Sequence, residues 1–132
     1  MNAQTHEGPI RLLLVDDEIC FVDVMLKRLA KRGIQATGAC SATRALQEFR
    51  GADFDVAVLD LKMEDMDGIE LLRVLRRMDP DLPVVMLTGH GSEEAAREGL
   101  ALGAADYLAK PCDIAELTAK IRKLARTRRN GA

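Results

Sequence analysis

Five short apolar runs alternate along this chain with segments of helical period. The runs are Ile10 to Val15 (IRLLLV), the weaker Ile34 to Ala39, Phe54 to Leu59 (FDVAVL), Leu82 to Leu87 (LPVVML) and Ala104 to Ala109. Runs this short, with branched side chains, read as strands buried on both faces. A helix between two strands returns the chain to the edge where it started, so the strands pair in parallel and helices cover both faces. The expected fold is α/β, a doubly wound five-stranded parallel sheet. A length of 132 residues suits one such domain.

The helical segments carry their own punctuation. Glu18 to Arg32 places Ile19, Val22, Met25, Leu26 and Leu29 on one face, and Gly33 stops it. Ser41 caps a second helix running to about Phe49. Gly68 to Met78 is the third, ended by Asp79-Pro80 because proline disfavours helical backbone at the residue before it. Ser92 caps a fourth, to about Leu102. Its apolar face is mostly alanine, and Gly99 inside it costs about 1 kcal/mol relative to Ala. It is the most weakly held helix. Asp113 opens the last one, with Glu116 completing a capping box. Its inner face ends at Leu124, so residues 126–132 read as a basic tail and residues 1–9 as an N-terminal tail.

Net charge is −2 and unevenly spread, with six basic residues and no acid from Thr118 to Ala132. Such a segment could touch an acidic partner, but cations also favour the end of a helix, where they complement its dipole. Aromatics are 3% and Trp is absent, so no stacking platform for single strands exists and direct nucleic-acid binding is not expected. No apolar run approaches a membrane span of roughly 20 residues, and the N-terminus has no signal-peptide pattern. Cys20, Cys40 and Cys112 have neither zinc nor disulfide spacing and read as free thiols in a reducing compartment. A cytoplasmic location is expected, with no membrane partner.

In a parallel sheet the C-terminal strand ends share one edge, where open α/β proteins place their chemistry. Those ends carry Asp16 and Asp17 after the first strand, Asp60 after the third, Thr88 after the fourth and Lys110 after the fifth. An acid after a strand is usually a turn residue or a helix cap. The convergence of four reactive strand ends is far less common by chance. Clustered carboxylates repel unless a cation offsets them, and an all-oxygen ligand set points to a hard ion, Mg²⁺ in particular. Asp60 could then attack phosphorus as a nucleophile, giving an acyl phosphate. Lys110 would neutralise the added charge, and the Thr88 hydroxyl would donate to a phosphoryl oxygen.

Together, VDD at Val15 to Asp17, LDLKMEDMDG at Leu59 to Gly68, LTG at Leu87 to Gly89 and YLAKP at Tyr107 to Pro111 resemble the receiver domain of bacterial two-component response regulators. The match spans residues 10–125 in order and spacing. The resemblance implies a flavodoxin-like (CheY-like) fold with strand order 2-1-3-4-5. It implies that Asp60 is the phosphoacceptor and that Asp16, Asp17, Asp60 and the Lys62 carbonyl hold Mg²⁺, with Mn²⁺ an alternative. Thr88 and Lys110 match the remaining catalytic pair, Thr88 and Tyr107 the switch residues, and Lys62 and His90 the positions that set phosphoryl lifetime. It also implies a cis peptide before Pro111. The implied partners are a histidine kinase or phosphotransfer domain and a downstream protein, with a monomer or a phosphorylation-linked dimer. The implied role is a switch that catalyses only its own phosphotransfer and dephosphorylation, read out through the fourth helix, fifth strand and fifth helix.

Two departures from the family pattern carry expectations. Glu64 replaces the usual Pro, which predicts a more mobile loop after Asp60. Cys112 replaces a larger apolar residue, which predicts looser packing. Rival functions fail on residues. No GxGxxG or GxxxxGK[ST] is present, a calcium-loop register puts Met63 and Val74 at ligand positions, and neither a flavin-stacking pair nor a second general base is evident.

Overall fold

The computed structural model describes residues 8–89 and 93–130. Ten elements alternate along the chain: β1 (Ile10–Val15), α1 (Ile19–Lys31), β2 (Ile34–Ala39), α2 (Ala42–Gly51), β3 (Val56–Asp60), α3 (Gly68–Met78), β4 (Val84–Thr88), α4 (Glu93–Ala101), β5 (Asp106–Ala109) and α5 (Ile114–Arg129). The strands form one parallel sheet of order β2-β1-β3-β4-β5. The CheY-like doubly wound fold expected from the sequence is therefore the one observed. No helix among the described residues is long and apolar enough to cross a membrane.

Alternation along the central strands divides the core in two. Leu13, Val15, Ala57, Leu59, Val84 and Met86 face α2, α3 and α4, with Leu71, Leu72 and Leu75 packed over them. Leu12, Leu14, Val56, Val58, Val85 and Leu87 face α1 and α5, against Val22, Met25, Leu29, Leu117 and Ile121. Burial on both faces explains why these strands are continuous apolar runs. It also fixes their register, because a slip of one residue would exchange the two faces.

Three helices start on side-chain caps: Ser41 accepts from the Arg44 N–H, Asp67 from Ile69 and Asp113 from Ala115. The reciprocal Glu116 bond of a capping box is not found among the described residues. Ser92, expected to cap α4, lies outside them.

One sequence expectation is corrected. Residues 126–129 are the last turn of α5 and no tail. Arg128 pairs with Asp79, and Arg129 holds the buried Asp55 at 2.9 Å together with the Gly8 and Pro9 carbonyls. Apolar periodicity ends at Leu124, so only these tertiary partners reveal the extra turn. Gly99 has a packing role that its helix propensity does not show. It is buried against Met86 and Ile69, and an added Cβ would collide with the Met86 sulfur. Its absent side chain is thus what lets α4 lie close to β4.

Gly68, at the first position of α3, packs directly against backbone. A Cβ there would lie 2.6 Å from the Asp60 carbonyl oxygen and 2.7 Å from the Leu61 Cα, both backbone atoms that cannot turn aside. Gly68→Ala is expected to lower stability by about 1–3 kcal/mol through overpacking, although alanine is the better helix former. Urea denaturation of the two proteins checks this, and a variant as stable as the parent would count against it.

Candidate phosphoacceptor and metal site

Parallel pairing builds the site. β1 and β3 are neighbours with Val15 opposite Leu59, so Asp16 and Asp60 emerge side by side. β4 pairs with both β3 and β5, bringing Thr88 and Lys110 to the same edge. Asp16, Asp17 and Asp60 each offer a carboxylate oxygen, and these oxygens lie within 4.8 Å of one another. Asp16 is fully buried and Asp60 nearly so. Three of the sequence-predicted metal residues thus converge. The fourth, Lys62, is exposed and adjoins them through its backbone, its N–H donating to Asp60 Oδ1 at 3.2 Å.

The Lys110 ammonium is the cation at this edge. It lies 2.6 Å from Asp16 Oδ2, 3.0 Å from Glu18 Oε1 and 3.9 Å from Asp60 Oδ2, and 4.7 Å above the centre of the Phe21 ring. The peptide joining it to Pro111 is cis, as the resemblance implied. Burial draws the Lys110 pKa down, but contact with Asp16 and Glu18 outweighs it and leaves the net shift upward. The lysine is held firmly charged.

Among the described residues, the one ammonium seen here faces four acids, Asp16, Asp17, Glu18 and Asp60, an incomplete balance. Asp16 Oδ1 accepts from the Glu18 N–H, yet buried Asp16 Oδ2 touches Lys110 only as an ion contact, with no aligned hydrogen bond. A buried carboxylate oxygen with lone pairs to spare, among all-oxygen donors, fits a hard divalent cation. Burial, followed by the charge of Asp16, pushes the Asp60 pKa up to about 6, against the Lys62 N–H and Lys110, which pull it down.

The two residues expected from the sequence to act as a switch occupy distinct environments. Thr88 is buried, and its hydroxyl donates to the Leu108 carbonyl at 3.4 Å, on the strand that carries Tyr107. The Lys110 N–H donates to the Thr88 carbonyl at 2.8 Å. Tyr107 is 45% exposed. His90, predicted to influence phosphoryl lifetime, lies outside the described residues. Cys112 is half-buried against the α1–α5 side of the core.

Sequence reasoning passed over two residues here. Glu18 was read only as the start of α1, whereas it is a partner of Lys110 from 92 positions away. Asp65, beside Glu64 in the loop after Asp60, accepts from the Ala42 and Thr43 N–H groups at 3.0 Å and from the Thr43 hydroxyl at 3.2 Å. It caps α2 from a distant loop and tethers that loop, a constraint that opposes the mobility expected from Glu64. The acid-rich loop was a visible signal, but its partner 23 residues earlier was not.

The raised Asp60 pKa has a sign that can be checked. The unfolded chain ionises this carboxyl near 3.8, so the native state holds the proton more tightly between pH 3.8 and about 6. That stabilisation is complete below pH 3.8 and is lost as pH rises through 6. In chelator at about pH 7.5, Asp60→Asn is therefore expected to be more stable than the parent by about 1–3 kcal/mol, and the gap should close towards about pH 4. Urea midpoints at the two pH values test it, and a gap independent of pH would refute it.

Comparison with known proteins agrees with this geometry. A family model described as the response regulator receiver domain matches residues 12–122. The chain is 38% identical over 119 residues to the transcriptional regulatory protein ZraR of Escherichia coli K12, covering 90% of this chain and 27% of that protein. It is 38% identical over 109 residues to the photosynthetic apparatus regulatory protein RegA of Rhodobacter capsulatus, covering 81% of this chain and 58% of that one. The chain thus spans between about a quarter and three fifths of the length of these relatives. A receiver domain structure from Clostridium thermocellum superposes with a TM-score of 0.89 at 28% identity, covering 93% of this chain and 99% of that one. The chain belongs to the response regulator receiver domain family of two-component signalling.

Proposed function

We propose that this domain is a switch set by phosphorylation of Asp60, with a histidine kinase, a phosphotransfer domain or a small phosphodonor as the source. The observation that carries this reading is the convergence of Asp16, Asp17, Asp60 and Lys110 at one sheet edge, with Asp16 Oδ2 buried and 2.6 Å from the Lys110 ammonium. Asp16, Asp17, Asp60 and the Lys62 carbonyl would hold Mg²⁺, or Mn²⁺ in its place. Bound there, such an ion screens the negative charge of an incoming phosphoryl group.

The chain's own residues do the rest. An Asp60 oxygen attacks phosphorus as the bond to the donor breaks, and the electron pair of that bond leaves with the donor. Lys110, 3.9 Å from Asp60 beforehand, closes on the new phosphoryl oxygens. The Thr88 hydroxyl exchanges the Leu108 carbonyl for a phosphoryl oxygen, and Tyr107 turns inward behind it. Among the described residues α4 buries only Ala96 and Gly99, so little resists its displacement. The α4–β5–α5 face then presents a different surface to a downstream protein, because a two-state shift needs only a few kcal/mol of differential interaction.

Incubation with acetyl phosphate and Mg²⁺ should add one phosphoryl group by intact mass, and chelation or Asp60→Asn should abolish the gain. With beryllofluoride, amide exchange should change in α4 and at Tyr107. A mass gain that survives Asp60→Asn would defeat the assignment, and unchanged exchange would defeat the switch.

A further inference from the structure

We propose that Glu18 is a positioning residue that restrains Lys110 before phosphorylation and competes with the phosphoryl group for it. This rests on Asp60 being the phosphoacceptor. Glu18 holds the N-cap position of α1, with extended backbone at φ −86° and ψ 100°, yet its side chain makes no capping bond. Helices α2, α3 and α5 all use short polar caps, Ser41, Asp67 and Asp113. Short side chains suit that position because they fold back onto the first N–H groups of the helix. At α1 the chain forgoes this bond. The longer side chain of Glu18 reaches across to Lys110, with its Oε1 3.0 Å from Nζ.

The geometry around Nζ gives the contact its consequence. Asp16 and Glu18 are within hydrogen-bonding distance at 2.6 and 3.0 Å, whereas Asp60 at 3.9 Å is beyond it. The Phe21 ring lies beneath the ammonium. Lysine is therefore drawn towards the α1 side of the site and away from the oxygen that is to be phosphorylated. Its two close partners differ sharply in environment. The Asp16 side chain is fully buried, while that of Glu18 is 66% exposed. An exposed carboxylate regains water when released, so Glu18 is the partner that lets go. Its backbone remains fixed by the N–H donated to Asp16 Oδ1, which returns the side chain to the same place afterwards.

The reaction makes Lys110 choose. As the Asp60–phosphorus bond forms and the donor leaves with its electron pair, new anionic oxygens appear beside Asp60. Lys110 must leave Glu18 to meet them, and the Glu18 contact adds to the barrier of that move.

Glu18→Gln removes the charge at nearly constant shape, and Glu18→Ser removes it while supplying a true cap. At saturating Mg²⁺ both variants should take up phosphoryl from acetyl phosphate about three- to tenfold faster than the parent. In metal-free protein the Lys110 Nζ resonance should shift in both, and Glu18→Ser should also unfold at a higher temperature. An equal or slower rate in both variants, with the parent labelled normally, would overturn the proposal. So would a tenfold loss of Mg²⁺ affinity in Glu18→Gln, which would make Glu18 a metal ligand. A parent that takes up no phosphoryl group would instead overturn the phosphoacceptor reading, and this proposal with it.

Discussion

Repulsion among three carboxylates at one sheet edge is the constraint on which the rest of this structure depends. Asp16, Asp17 and Asp60 are crowded together, and among the described residues the Lys110 ammonium offsets them. Left to themselves the acids would separate or stay protonated, and the Asp60 pKa, raised to about 6 by burial first and by the charge of Asp16 second, registers that cost. They remain together because the strands beneath them cannot move. β1 and β3 are locked by two apolar layers, one on each face of the sheet, and their register fixes which residue leaves each strand end. The core thus sustains a local destabilisation that chemistry can exploit.

Close packing around the edge serves the same end. Gly68 brings the start of α3 against the Asp60 backbone, and Asp65 ties the intervening loop to the first turn of α2. The loop bearing Lys62 is therefore held at both ends. On the other side, Thr88 and Lys110 are joined through the β4–β5 ladder, and the Thr88 hydroxyl donates to Leu108, the residue next to Tyr107. The alanine and glycine of α4 leave that helix with few buried anchors on the same route.

Much of this could be read along the chain. Apolar runs bounded by polar residues located all five strands, because a strand buried on two faces leaves a contiguous signal. Asp60 and its companions were legible because strand ends in a parallel sheet share an edge. The misreadings concern residues whose meaning lies in a distant partner. Arg128 and Arg129 looked like a solvated tail until Asp79 and Asp55 appeared beside them. Glu18 reads along the chain only as the start of a helical segment, since no local pattern reports a lysine 92 residues later.

Sequence alone determined the layer architecture, the identity of the reactive strand ends and the all-oxygen character of the site, because hydrophobic period and residue type are local properties. Tertiary structure decided how the charges are apportioned: which acid is buried, which oxygen lacks an aligned donor, and which carboxylates lie closest to Lys110. The physical reason is that electrostatic energy depends on distance and burial between groups far apart in the chain. Neither quantity is encoded in the spacing of any one segment.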